Sequence, residues 1–115
     1  MHEKLLIFQK AYDFTLWLYP IINRIPQSHR LVLGREMEER AISMVIAVIE
    51  ANKKGGEERN AFQKNVSDDL DVIRILLRLA KDMRFVSIKQ YASGADKINE
   101  IGRMLTSWMG STGRV

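Results

Sequence analysis

The sequence predicts an all-α fold, an up-down-up-down four-helix bundle, on three observations. Apolar residues recur at spacings of three and four along four long segments. Only two prolines interrupt the chain, both near the end of the first segment. The connections between segments are short, which suits antiparallel neighbours. At 115 residues the chain is one domain, 1–115, large enough to bury a core without staples.

Helix one is predicted over 3–24, with Ile7, Phe8, Ala11, Phe14, Trp17, Leu18, Ile21 and Ile22 on its apolar side. Pro20 lies inside that pattern and should kink or divide the helix, because its ring removes a donor and clashes with the preceding turn. Ile25-Pro26 ends it, since a residue before proline avoids the α region. Ser28 is the candidate N-cap of helix two, predicted over 29–53, with Gly34 weakening its first turns. Lys53-Lys54-Gly55-Gly56 then stops the helix: lysines suit its negative end, and glycine supplies a left-handed residue.

Glu57 and Glu58 suit the start of helix three, predicted over 57–84. Ser87 and Gln90 form a capping box for helix four, predicted over 88–109. That helix carries a heptad pattern, with Ile88, Ala95, Gly102 and Met109 at one position and Tyr91, Ile98 and Leu105 at the other. Ile101 and Trp108 widen its stripe, and Gly94 and Gly102 suggest close helix approach. Residues 110–115 are expected to be a flexible tail.

Two segments have too little polar face for the outside of a monomer. Val66, Leu70, Ile73, Leu77 and Ala80 form one seam of helix three, and Val72, Leu76, Leu79 and Met83 form an adjacent one. Ala41 to Ala51 is interrupted only by Ser43 and Glu50. Such helices are expected to be buried twice, by their own bundle and by a neighbouring subunit.

The chain has no cysteine, hence no disulfide or thiolate metal site, which fits a reducing cytoplasm. No apolar run approaches the roughly 20 residues that span a bilayer, so no membrane partner is expected. The start, Met1-His2-Glu3-Lys4 and an apolar patch broken by Gln9, Lys10 and Asp13, does not read as a signal peptide. A net charge of +4 permits a polyanionic partner without demanding one.

No active site is expected. There is no Glu-x-x-His pair for a di-metal bundle, so neither metal nor cofactor is predicted. Glu36, Glu38, Glu39 and Glu50 read as solvated or salt-bridged, and Ser43 as a small packing residue without a histidine to activate it. Gly55-Gly56 lacks the strand and the G-K-[ST] of a phosphate loop. A basic edge is the better candidate. Arg74, Arg78 and Lys81 project from one helix face, and Arg84, Lys89 and Arg103 extend the positive surface. The competing reading is that these residues pair with Asp68, Asp71, Asp82 and Asp96 and keep the bundle soluble. The tryptophans and tyrosines sit at core or interface spacing and do not interleave with the basic residues as a stacking platform would.

Several runs resemble a known family. They are Tyr12-Asp13-Phe14-Thr15-Leu16-Trp17-Leu18-Tyr19-Pro20, Ile25-Pro26-Gln27-Ser28-His29-Arg30-Leu31-Val32-Leu33-Gly34, Ile49-Glu50-Ala51, Leu76-Leu77-Arg78-Leu79-Ala80-Lys81-Asp82 and Glu100-Ile101-Gly102-Arg103-Met104-Leu105. In this order they resemble Avd, the accessory variability determinant proteins of diversity-generating retroelements. A related group is the four-helix proteins of ribosomal RNA intervening sequences, for which a structural or adaptor role without a polymerase is the alternative. The Avd resemblance implies a bundle assembling as a barrel-like homopentamer. It implies a reverse transcriptase and its template RNA as partners, with catalysis left to the polymerase. Ser28, His29 and Arg30 fall on a matched segment, either as loop structure or as partner contacts. Arg30, Arg78 and Arg103 are carried from matched segments as candidate contacts.

Overall fold

The computed structural model describes residues 2–112, with the side chains of 6–110. Four long helices are α1 (His2–Asn23), α2 (Arg35–Lys53), α3 (Gly56–Asp82) and α4 (Ile88–Thr112). No strand occurs among the described residues. Each helix packs against two others, in the ring α1–α2–α3–α4–α1, and the α2–α3 contact is the most extensive.

The core follows the seams expected from spacing. Ile7, Ala11, Phe14, Leu18 and Ile22 of α1 are buried against Met37, Ala41, Met44 and Val48 of α2. Val66, Leu70, Ile73, Leu77 and Ala80 of α3 are all buried, while Leu79 and Met83 of its second seam are 45% and 46% exposed. On α4 the buried line is Gly94, Ile98, Ile101, Leu105 and Trp108. The expected line through Ile88, Gly102 and Met109 is rotated off the core, with Ile88 78% exposed.

The helix ends depart from expectation in several places. Pro20 does not divide α1. It is exposed, as is Leu16, the residue whose carbonyl loses its helical donor to the proline. The expected start of helix two at residue 29 becomes one α turn, Gln27–His29, then a wide turn, Arg30–Gly34. The Arg35 N–H donates to the Arg30 carbonyl five residues back. Ser28 lies inside the first turn and does not cap it; Pro26 holds that position without a side-chain bond. Glycine suits position 34 in this turn, because a Cβ there would lie 3.0 Å from both Ile22 Cγ2 and Arg30 Cγ.

The double-glycine connection also works differently. α2 ends on extended residues at Lys54 and Gly55, and the left-handed residue is Gly56, at the entry to α3. α3 stops earlier than residue 84, and its left-handed terminator is Arg84, with φ of 65°. The Arg84 N–H donates to the Lys81 carbonyl and the Phe85 N–H to the Ala80 carbonyl, both at 2.9 Å, which is a Schellman termination. The capping box is present as expected: Ser87 N donates to Gln90 Oε1 at 2.9 Å, and Gln90 N to Ser87 Oγ at 3.0 Å. α4 continues to Thr112, so the expected tail begins inside it, and residues 113–115 lie outside the described residues.

Polar groups fix the register between helices. Arg40 of α2 bonds Glu36 at 3.0 Å and reaches the buried Asp69 of α3 at 3.2 Å. These two carboxylates hold the Arg40 guanidinium above its ordinary range, Glu36 contributing most. A raised pKa stabilises the fold throughout the working pH range and is lost only at strongly alkaline pH. Glu50 pairs with Lys53, whereas Ser43 is exposed and does not pack as expected. Gln63, which the sequence pattern does not single out, is fully buried with no protein partner for its amide.

The two α4 glycines differ. A Cβ on Gly94 would lie 2.5 Å from Leu77 Cδ2 and 2.9 Å from Trp17 Cη2, so α1, α3 and α4 approach closely there. A Cβ on Gly102 would meet nothing within 4 Å among the described residues, so close approach to them does not account for it. Its helix-propensity cost of about 1 kcal/mol relative to alanine has no internal compensation. Gly94→Ala is expected to lower stability by about 1–2 kcal/mol despite alanine's better propensity, because overpacking a tight core costs more. Urea unfolding checks this, and a gain in stability contradicts the packing argument.

Candidate nucleic-acid interface

The seven basic candidates fall into distinct settings. Arg30 Nη1 donates to the Asn23 carbonyl at 2.9 Å, tying the wide turn to the end of α1. Arg74, Arg78 and Lys81 share one side of α3, as their spacing requires. Each is also close to a carboxylate. Arg74 Nη1 lies 3.6 Å from Asp71, Arg78 Nε 3.8 Å from Asp82, and Lys81 Nζ 3.3 Å from Asp82. The strip therefore carries less net charge than its cations suggest, as the competing reading of that strip expects. Asp68 is matched instead to Lys64. Arg84, Lys89 and Arg103 are exposed and form no ion pair among the described residues.

Two pairs of these residues line common cavities, one pair across two helices and one at the end of a single helix. Arg74 of α3 and Arg103 of α4 line an open groove of about 440 Å³ with Asn99, Gly102 and Thr106. Arg74 Nη2 donates to Asn99 Oδ1 at 3.0 Å, which spans the two helices and leaves the Asn99 amide nitrogen as a further donor. The α4 residues lie at 99, 102, 103 and 106, one stripe along the helix. Helical spacing alone puts these four on one side of α4, whereas Arg74's place beside them depends on how α3 and α4 pack. No carboxylate lines the groove.

Lys81 and Arg84 line a second cavity, about 690 Å³, at the corner where α3 turns into α4. Its floor includes Val86, Ile88 and Tyr91. Lys81 Nζ lies 4.7 Å from the Tyr91 ring centroid, Lys97 Nζ 5.0 Å from that of Trp17, and the Arg59 guanidinium 6.0 Å from that of Trp108. Basic and aromatic residues thus meet between helices, although they do not interleave along the chain. Lys89 is the second residue of α4 and lines neither cavity.

No group of three or more His, Asp or Glu side chains positioned to hold a metal occurs among the described residues. None of the described helices is long and apolar enough to cross a membrane. The bAvd-like family model matches residues 5–112 of this four-helix chain. The chain belongs to the bAvd-like family. Avd proteins are the accessory variability determinants of diversity-generating retroelements, an accessory and non-catalytic kind of protein. No curated protein matches the chain. In this bAvd-like chain Arg74 and Arg103 line one open groove, and Lys81 and Arg84 line the cavity at the α3–α4 corner.

Arg84 holds a left-handed backbone that glycine adopts at no steric cost. Arg84→Gly is expected to raise stability by about 1 kcal/mol. A thermal midpoint that stays put or falls shows that the arginine side chain contributes more to the fold than its backbone costs.

Proposed function

We propose that this chain is the non-catalytic accessory subunit of a diversity-generating retroelement. On this reading it binds the reverse transcriptase and the template RNA to support mutagenic cDNA synthesis, working in the cytoplasm where polymerase and template meet. Membership of the bAvd-like family favours this role over a structural bundle of the ribosomal intervening-sequence group. The observation that carries the nucleic-acid part is the groove between α3 and α4, where two arginines converge without a lining carboxylate. The retroelement reading makes the bundle a barrel-like homopentamer. Two exposed apolar strips support self-assembly: Ile42, Ile46 and Ile49 on α2, and Ile75, Leu79 and Met83 on α3. Ile75 is 67% exposed and Ile46 53%, and rows of such residues are uncommon on a monomer's surface.

Multi-angle light scattering checks the assembly. The native chain is expected to elute as a pentamer, and Ile46→Glu or Ile75→Glu to shift it towards monomer with helicity retained. A monomeric native chain at micromolar concentration overturns the assembly.

A salt titration of structured template-type RNA binding checks the nucleic-acid role. Affinity is expected to fall steeply with salt, and Arg74→Ala/Arg78→Ala to flatten the log–log slope by about 1 for each phosphate no longer neutralised. Negligible binding by the native chain at low salt leaves protein partners alone.

A further inference from the structure

We propose that Gly102 is the floor of a phosphate-binding subsite on the α3–α4 groove, and that its missing side chain is what keeps the subsite open. The inference rests on the nucleic-acid reading above and assigns it a place. A mid-helix glycine weakens a helix, and close packing is the usual compensation. Gly94 has that compensation in Leu77 and Trp17. Gly102 has none among the described residues, yet it lines a groove with Arg74, Asn99, Arg103 and Thr106.

The chemistry of those walls selects an anion. Arg74 and Arg103 face the groove from two helices, and guanidinium forks match phosphate oxygens. Arg103 has no ion pair among the described residues. Arg74 is held by Asn99 at 3.0 Å and lies 3.6 Å from Asp71, so part of its fork remains for another acceptor. The Asn99 amide nitrogen adds a neutral donor. Glu100, beside Asn99 in sequence, is directed instead to Lys10 of α1 at 3.4 Å. Thr106 donates its hydroxyl to the Gly102 carbonyl at 3.0 Å, so that hydrogen is committed within the helix and the anion is left to the arginines and the amide. A side chain at 102 would project between the two arginines' helices into this space. The occupant that fits is a phosphodiester of an RNA strand lying along the groove. A helix of a second copy is the other thing a bare glycine admits, but two arginines and an amide are a poor seat for an apolar helix face.

The test compares Gly102→Ala, Gly102→Leu and Arg103→Gln in the full chain. Thermal unfolding is expected to show a midpoint raised by a few degrees for Gly102→Ala, since nothing crowds the new Cβ. Gly102→Leu is expected to stay folded with the native oligomeric mass. Fluorescence anisotropy with a structured template-type RNA at low salt is expected to show roughly tenfold weaker binding for Gly102→Leu and for Arg103→Gln. Native binding by Gly102→Leu overturns the subsite while leaving RNA binding elsewhere intact. A changed oligomeric mass for Gly102→Leu overturns it in favour of a contact between copies. Absence of RNA binding by the native chain overturns the subsite together with the nucleic-acid reading on which it rests.

Discussion

The close approach of three helices at Gly94 sets the spacing on which the rest of the bundle depends. Leu77 from α3 and Trp17 from α1 occupy the space a side chain at 94 would need. α4 is thereby drawn onto both neighbours at once. That proximity brings Arg74 and Asn99 within 3.0 Å of each other further along α4. The groove beside them forms on the outer side of the same contact. A core constraint and a surface feature thus have one cause, because a packed interior transmits spacing along rigid helices.

Charge is distributed differently on the two helices that frame the groove. The acidic residues of α3 sit close in sequence to its basic ones, so Asp71 and Asp82 reach Arg74, Arg78 and Lys81 within the helix itself. Exposed pairs of this kind contribute little to stability, but they reduce the field the strip presents to a polyanion. On α4, Glu100 is directed to Lys10, and Arg103 forms no ion pair among the described residues. The groove cation free of an ion pair among the described residues, Arg103, therefore stands on the α4 side and not on the α3 strip.

One end of the bundle gathers its least regular backbone. The wide turn at Arg30–Gly34 fits against Ile22, and the left-handed Arg84 ends α3. His29 and Phe85 close this end, their ring centroids 4.7 Å apart. The Ser87–Gln90 box then restarts the chain at once in α4. Arg30, whose sequence context admitted a partner contact, is held here by the Asn23 carbonyl. Its neighbours Leu31 and Val32 remain exposed, at 57% and 75%.

The sequence by itself determined the features that act within a turn or two of chain. The capping box, the acidic start of α3, the α1 core line and the buried α3 seam all depend on spacings of three, four or seven residues. A helix reproduces those spacings whatever surrounds it. Features that depend on how helices meet were decided only by tertiary structure. Ser28 fell inside a turn because Pro26 starts it, and Arg84 ended α3 through bonds to Lys81 and Ala80 that no glycine signalled. The apolar pattern of α4 admitted two neighbouring lines, and a modest rotation chose the one through Gly94, Ile101 and Trp108 over that through Ile88, Gly102 and Met109. The same rotation separated the roles of the two glycines. It also set Arg103 across from Arg74, a pairing between residues 29 positions apart that no local period encodes.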